Sequence, residues 1–325
     1  MRVLVTGSDG FVGSHMVDLL LTLPGIELHG TILTSVPGPN LSHVVSPVVL
    51  HQLDILQRDG IDRLLRRVRP DRIIHLAGQA FVPASVKDPA GTIQVNINGS
   101  VNLFDALRML RAEGIADPAV LIVSSGEVYG PVDPDLQPIR ESFPLCPGNP
   151  YAASKAGIDL IAQSYAKTYG LRIIVARPFN HVGPRQSPSF VCSEFGLRFA
   201  EVALGIRKPV LAVGSLDVRR DFTDVRDVVR AYWALLESAT QVSVVNVCSG
   251  TARSIADVVT VLQEIAAVSV TIEGESSKVR AYDIPLLLGS NERLRKATGW
   301  VPVIDFRETL RDVFEYWKRE LARPI

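Results

Sequence analysis

The sequence predicts an α/β fold, a doubly wound parallel sheet with a smaller C-terminal α/β lobe. Three observations predict it. Short runs rich in Val and Ile alternate with helical stretches along the first 180 residues, the pattern of βαβ units. These runs lack period-two alternation, as in strands that helices cover on both faces. The chain has 325 residues, long for one compact core, so a smaller unit should complete the first.

Taken in order, RVLVT at 2–6 is the first strand, and a helix starts at about Val12. IELHG near 26–30, RIIHLA at 72–77 and VLIVSS at 120–125 are further strands, with helices near 59–69 and 91–113. A helix over roughly 151–169 and the strand LRIIVARP at 171–178 continue the series. After about Asn180 the rhythm loosens. FNHVGPRQSPSFV is rich in turn residues, helices are expected near 190–205, 225–237, 254–267 and 306–320, and PVLAV, SVVNVC and VSVTI are isolated strands between them. VVNVC can return to the main sheet. The expected division is a first domain over 1–178, rejoined by 224–250, and a second lobe made of 179–223 and 251–325.

Composition narrows the function classes. The chain is 47% hydrophobic and 21% charged, with Lys+Arg and Asp+Glu both 34 and a net charge of zero. No overall field exists to hold a nucleic acid, so an anionic ligand must meet a local site. Cys146, Cys192 and Cys248 are odd in number and far apart, which suggests neither a disulfide framework nor a metal site. No apolar run approaches the ~20 residues of a membrane span, and a soluble, cytoplasmic protein is the expectation.

VTGSDGFVGSHMVDLLL places Gly7, Gly10 and Gly13 between the first strand and the first helix, with Phe11 and Val12 among them. The spacing G-x-x-G-x-x-G departs by one residue from the dinucleotide fingerprint, yet the mechanics match. One glycine permits the turn, one lets backbone approach a pyrophosphate, one lets the helix pack close, and the helix start faces the anion. A Rossmann-like domain that binds NAD(P) is therefore expected, with Leu76, Ala77 and Gly78 as further cofactor contacts. Asp54 either meets the adenine amino group or caps a helix before Leu56, with Ile55 beside it. HGTILTSVPG at 29–38 has no acid to repel a 2′-phosphate, and Thr31, Thr34 and Ser35 can donate to one. The stretch leans to NADP(H), with NAD(H) open.

NPYAASKAG puts Tyr151 and Lys155 four apart at the start of a helix, on one face. A phenol titrates near ~10 and is a poor base at neutral pH, and a neighbouring ammonium favours its anion. Such a tyrosine exchanges a proton with a carbinol or ketone oxygen while hydride moves to or from nicotinamide. Ser125, at the end of the strand before, can hydrogen-bond the same oxygen. Y-x-x-x-K alone is common on helices; the glycine loop and the strand-end serine make it a candidate site.

TGSDGFVG, HLAG, SSGEVYG, YAASK, RPFNHVGP and RDFTDVRD, in this order over almost the whole chain, resemble the extended short-chain dehydrogenase/reductases of nucleotide-sugar metabolism. The resemblance implies NAD(P) on the N-terminal lobe, a sugar nucleotide on the C-terminal lobe, and Ser125, Tyr151 and Lys155 at the junction. Within that branch, HLAGQAFVPASVKDP, ARPFNHVGPRQSPSFV and RRDFTDVRDVVRAYWALL are similar to the GDP-6-deoxy-D-mannose reductases. These reduce the C4 ketone of GDP-4-dehydro-6-deoxymannose to GDP-D-rhamnose, and GDP-mannose 4,6-dehydratases are their near relatives.

A dehydratase needs a base, and usually an acid, beside the triad. Dehydratases acting on other nucleotide sugars resemble T-D-E-x-Y-G here, and the GDP-mannose enzymes carry Ser at the Asp position. This chain has Gly126, then Glu127. A reductase is the first expectation, with Glu127 on the sugar hydroxyls. A dehydratase with Glu127 as base, another nucleotide-sugar epimerase or reductase, and an NAD(P)-sensing protein without turnover stay open.

The resemblance also implies Asn180, Arg220 and Arg280 on the diphosphate or ribose of a GDP-sugar, and a homodimer through the helices near 91–113 and 151–169. Arg220 has a physical warrant, since guanidinium donors match phosphate oxygens, but a salt bridge to Asp221, Asp224 or Asp227 is its alternative. Arg185 and Lys208 are further anion candidates. Ser85 and Gln79 are expected at the sugar or as plain polar loop residues, Asn96 as an amide that orders the active-site backbone or as a satisfied buried amide, and His75 and His181 as packed residues.

Overall fold

The computed structural model describes residues 1–45, 47–239, 242–275 and 284–322. The chain runs β1 (Arg2–Thr6), α1 (Phe11–Leu21), β2 (Glu27–Ile32), β3 (Val49–Gln52), α2 (Arg58–Val68), β4 (Arg72–His75), α3 (Val82–Lys87), α4 (Pro89–Ile93), α5 (Gly99–Ala112) and β5 (Ala119–Val123). Then come α6 (Pro150–Tyr169), β6 (Arg172–Pro178), β7 (Asn180–Val182), α7 (Val191–Ala203), β8 (Val210–Val213), β9 (Arg219–Asp224) and α8 (Val225–Glu237). The last are β10 (Val244–Val247), β11 (Ala252–Ser254), α9 (Ile255–Ala266), β12 (Thr271–Gly274), β13 (Leu286–Leu287), α10 (Glu292–Thr298) and α11 (Phe306–Ala322).

Seven of the described strands form one sheet in the order β10-β6-β5-β4-β1-β2-β3, every pair parallel. The near-continuous Val, Ile and Leu of β1, β4 and β5 are buried because both faces are covered. One face packs Val5, Met16, Val17, Val229 and Tyr232 under α1 and α8; the other packs Leu4, Ile61, Leu65, Phe104 and Ile158 under α2, α5 and α6. The strand order reverses between β1 and β4. A crevice therefore opens at their carboxyl ends, where α/β sheets bind ligands. VVNV does return to this sheet: Val244–Val247 pairs with Val175–Pro178.

A separate core gathers Phe195, Phe199, Phe222, Val258, Leu262 and Phe314 among α7, α9 and α11. Small sheets flank it, with β9 between β11 and β13 and also paired to β7, and β12 beside β8. Short polar strands such as β7 and β9 carry no apolar run that a sequence reading can seize. The edge strand β3 is half-exposed for the same reason. The helix expected over 91–113 is instead α4, a π-turn at Gln94–Asn98, and α5. Among the described residues, no helix is long and apolar enough to cross a membrane.

Candidate active site

At the end of β1 the backbone turns at Gly7, whose φ of +67° an L side chain resists. A Cβ on Gly13 would stand 2.1 Å from the Gly7 carbonyl oxygen, so only glycine lets α1 begin this close to β1. The start of α1 carries no side-chain cap, which leaves its first amides for an anion. Phe11 and Val12 open that first turn. The loop therefore fits a dinucleotide pyrophosphate.

The second strand behaves differently from the expectation. Thr31, placed as a 2′-phosphate donor, is 1% exposed and accepts from the Gly7 amide at 3.2 Å, so it shapes the glycine turn instead. Thr34 and Ser35 remain exposed. Asp54 accepts from the Leu56 amide at 2.9 Å and so closes a turn of its own rather than capping α2, whose N-cap is Gln57, and Ile55 packs into the core below. Leu76 and Ala77 each donate an amide to Thr6 Oγ1 at 3.1 Å, which fixes the backbone beside the crevice. Gly78 follows, next to Asn96 and Lys155.

Ser125 stands at the end of β5 in extended backbone, and its Oγ accepts from the Glu127 amide at 3.1 Å. Asn149 caps α6 through the Ala152 amide at 2.8 Å and sets Tyr151 in the first turn. The structure brings Ser125, Glu127 and Tyr151 together, with Lys155 one turn further along α6. The Tyr151 phenol is pushed above its ordinary value by burial and by the Glu127 carboxylate, while a hydrogen bond with Ser125 opposes them. Lys155 is lowered to about 8 by burial and donates to the Val123 carbonyl at 2.9 Å.

That arrangement corrects one expectation. The ammonium, expected to favour the phenol's anion, is tied to β5, and burial pushes the phenol up instead.

Asn96 lies in the π-turn, a device that often marks function. Its Nδ2 donates to Ser154 Oγ at 2.9 Å and to the Gln79 carbonyl at 3.0 Å, and its Oδ1 accepts from the Gln79 amide at 2.8 Å. Ser154 in turn donates to the Tyr151 carbonyl at 2.7 Å. Asn96 thus orders the backbone on both sides of the site, as expected of it.

Two expected sugar contacts take other tasks. Ser85 is fully buried, donates to the Val82 carbonyl at 2.7 Å and accepts from the Tyr151 amide at 3.1 Å. It holds the start of α6 from below. The Gln79 side chain closes its own turn through Phe81 and Thr92.

On the other wall, Asn180 heads β7, half-buried and paired with Phe222. Arg220 Nη1 donates to the Arg219 carbonyl at 3.0 Å and to the Ile284 carbonyl at 2.5 Å. Asp221 is held by Ser249 and Gly250, Asp224 by Arg226, and Asp227 by Arg230. Arg280 lies outside the described residues. Arg185 is turned away from a phosphate role: it adopts φ +72° and binds Asp18 at 2.6 Å and His15 at 2.7 Å. Lys208 lines a cavity of about 830 Å³ with Arg198, Arg207 and Glu273, which shares no residue with the Tyr151 site. His181 stacks on Phe11, centroids 5.9 Å apart, and bonds the Phe179 carbonyl.

Asn149 was not foreseen, although its place before Pro150-Tyr151 is a helix-start pattern. Its Nδ2 also donates to Glu127 Oε2 at 3.0 Å. Ser154 and Ser100 carry no signal of their own, since nothing in the sequence joins them to Asn96.

Residues 4–313 match the family model described as GDP-mannose 4,6 dehydratase. The chain is 37% identical to the GDP-6-deoxy-D-mannose reductase of Pseudomonas aeruginosa, over 98% of this chain and 97% of that one. Among solved structures, RMD from Pseudomonas aeruginosa complexed with NADPH superposes with a TM-score of 0.84 at 36% identity, covering 98% of this chain and 99% of that one. The UDP-glucose 4-epimerase of Thermotoga maritima with UDP-glucose gives 0.88 at 27% identity, covering 99% and 100%. The chain is a member of the GDP-mannose 4,6-dehydratase family of nucleotide-sugar enzymes.

Proposed function

We propose that the protein reduces the C4 ketone of GDP-4-dehydro-6-deoxy-D-mannose to GDP-D-rhamnose, with Tyr151 as proton donor. The observations that carry this reading are the likeness to the Pseudomonas aeruginosa GDP-6-deoxy-D-mannose reductase and a site where residue 126 has no side chain. Reduction at C4 needs one hydride and one proton; 4,6-dehydration also needs removal of the C5 proton and departure of the C6 hydroxyl. Bound nicotinamide supplies the hydride. A neutral phenol is the right form to give a proton, and Ser125 steadies the ketone oxygen and the phenolate left behind. The Lys155 ammonium supports the same anion once the phenol has given up its proton.

Glu127 serves as a sugar contact, its carboxylate fixed by Asn149. The lobe around the third core receives the GDP, with Asn180 and Arg220 facing its diphosphate, while the β1–β4 crevice receives the coenzyme. NADP(H) is favoured because Leu33, Thr34 and Ser35 present no acid after β2 and because the Pseudomonas aeruginosa relative carries NADPH. A homodimer in the cytoplasm completes the reading.

A second reading is 4,6-dehydration with Glu127 as base, favoured by the closeness of that carboxylate to Tyr151. Incubation with GDP-mannose and NADP⁺ separates the two. NADPH oxidation that requires the 4-keto sugar supports reduction; accumulation of the keto sugar from GDP-mannose alone overturns it.

A further inference from the structure

Behind the site, one buried histidine closes a chain of hydrogen bonds whose direction is forced at every link. Ser100 Oγ lies 2.7 Å from the Asn96 carbonyl, which can only accept, so Ser100 donates there and its one proton is used. His75 Nε2, 3.0 Å from the same Oγ, must therefore be the N–H that donates to it. Burial, with the Lys155 charge nearby, lowers the His75 pKa to about 3, so the ring is neutral and Nδ1 is an acceptor. Thr6 Oγ1, 2.8 Å away, donates to Nδ1. Its lone pairs then receive the Leu76 and Ala77 amides at 3.1 Å each.

The two ends of this chain matter differently. One end is the backbone shelf after β4, beside the coenzyme crevice. The other is the π-turn, whose Asn96 grips Gln79 and, through Ser154, the carbonyl of Tyr151. A π-turn interrupts the i→i−4 ladder of a helix and recurs at functional sites, so what its Asn96 carbonyl binds matters to the site. Protonated His75 cannot serve here, because Nδ1–H would need an acceptor and Thr6 Oγ1 is already filled by two amides.

We propose that His75 is a positioning residue for the hydride-transfer site: as the neutral Nε2–H tautomer it couples the coenzyme shelf to Asn96 and thereby to Tyr151. The inference rests on the proposed reductase reading for its kinetic consequence only. His75 is buried between Thr6 and Ser100, and its effect runs through the two backbones it joins.

The test uses Ser100→Ala, His75→Phe, their double variant and Thr6→Ser, measured for kcat, NADPH Kd and Tm, with ¹⁵N NMR of the His75 ring. Ser100→Ala deletes one oxygen in the middle of the chain and is expected to lower kcat about tenfold, the scale of a small misplacement of the proton donor, with NADPH Kd little changed. The double variant should lose no more than His75→Phe alone, because both cut one chain. Thr6→Ser, which keeps the hydroxyl, should retain wild-type kcat. Additive losses, or wild-type kcat in Ser100→Ala, overturn the proposal. If His75→Phe does not fold, Ser100→Ala decides. The NMR arm stands apart from the reaction: a neutral Nε2–H ring from pH 5 to 8 supports the chain, and an Nδ1–H ring or an imidazolium at pH 5 overturns it. Absence of any keto-sugar turnover by the wild type would instead sink the reductase reading and leave the NMR result to judge His75.

Discussion

Asn149 Nδ2 donates to Glu127 Oε2 at 3.0 Å while Asn149 Oδ1 caps the helix that carries Tyr151. One amide thus ties the carboxylate to the phenol it disfavours as an anion. Glu127→Gln keeps the bond geometry and removes the charge. The phenol pKa must then fall. In the proposed reduction the neutral phenol is the active form, so activity is lost as pH rises through that pKa. The basic limb of the kcat/KM profile should move to lower pH in Glu127→Gln. An unchanged limb would mean that Tyr151 does not set it.

Tyr151→Phe removes the hydroxyl assigned to give the proton in the proposed reaction. Proton transfer by a placed side chain contributes about 10²–10⁴-fold, and kcat should fall within that range. NADPH binding, measured by fluorescence titration, should survive. A variant that keeps its kcat would move the proton donor elsewhere.

Lys155 carries a cost in stability. Burial lowers its folded pKa to about 8 from the ordinary lysine value of 10.5, so the folded protein binds fewer protons than the unfolded chain between those two values. Stability should therefore rise with pH across that window, and the penalty is fully present below it. Lys155→Met should lose turnover yet flatten this part of the Tm-against-pH curve. Identical curves for the two proteins would show that Lys155 is not held at a disadvantage.

Behind β6, Arg177 and Asp159 form a buried pair at 2.7 Å, with side chains 5% and 0% exposed, and Tyr129 and Asn246 extend the network. Removing one partner leaves the other charge uncompensated. Arg177→Met or Asp159→Asn should cost about 3–5 kcal/mol in denaturant unfolding. The double apolar replacement Arg177→Met with Asp159→Leu should recover much of that loss.

Gly13→Ala tests the glycine loop. Its Cβ would meet the Gly7 oxygen at 2.1 Å, so the turn must open. Overpacking costs about 1–3 kcal/mol, and the rise in Tm that NADPH gives the wild type should shrink or vanish. A full ligand-induced rise would remove the pyrophosphate from this loop.

The sheet was legible because its signal is repeated: six of its seven strands lie in short runs rich in Val, Ile or Leu, with a glycine turn after the first, while half-exposed β3 (VLHQ) gives no such signal. The candidate triad was legible for a different reason, since Tyr151 and Lys155 share a helix face and Ser125 ends a strand. Local pattern says nothing of what a side chain meets across the fold. Ser85, Gln79 and Thr31 look like ligand contacts in sequence, and each is consumed by a backbone group instead. Arg185 looks like a phosphate ligand until α1 supplies Asp18 and His15 to hold it. The π-turn is invisible beforehand because GTIQVNINGSVN is compatible with unbroken helix.

The return of β10 to the edge of β6 sets an order of assembly during synthesis. The N-terminal six strands can leave the ribosome long before their seventh, and until it arrives the β6 edge offers unpaired amides and carbonyls to any neighbour. A nascent or proteolysed chain that stops short of residue 244 is thus an aggregation hazard. The distant strand works as an edge guard that the protein obtains only by finishing its own translation.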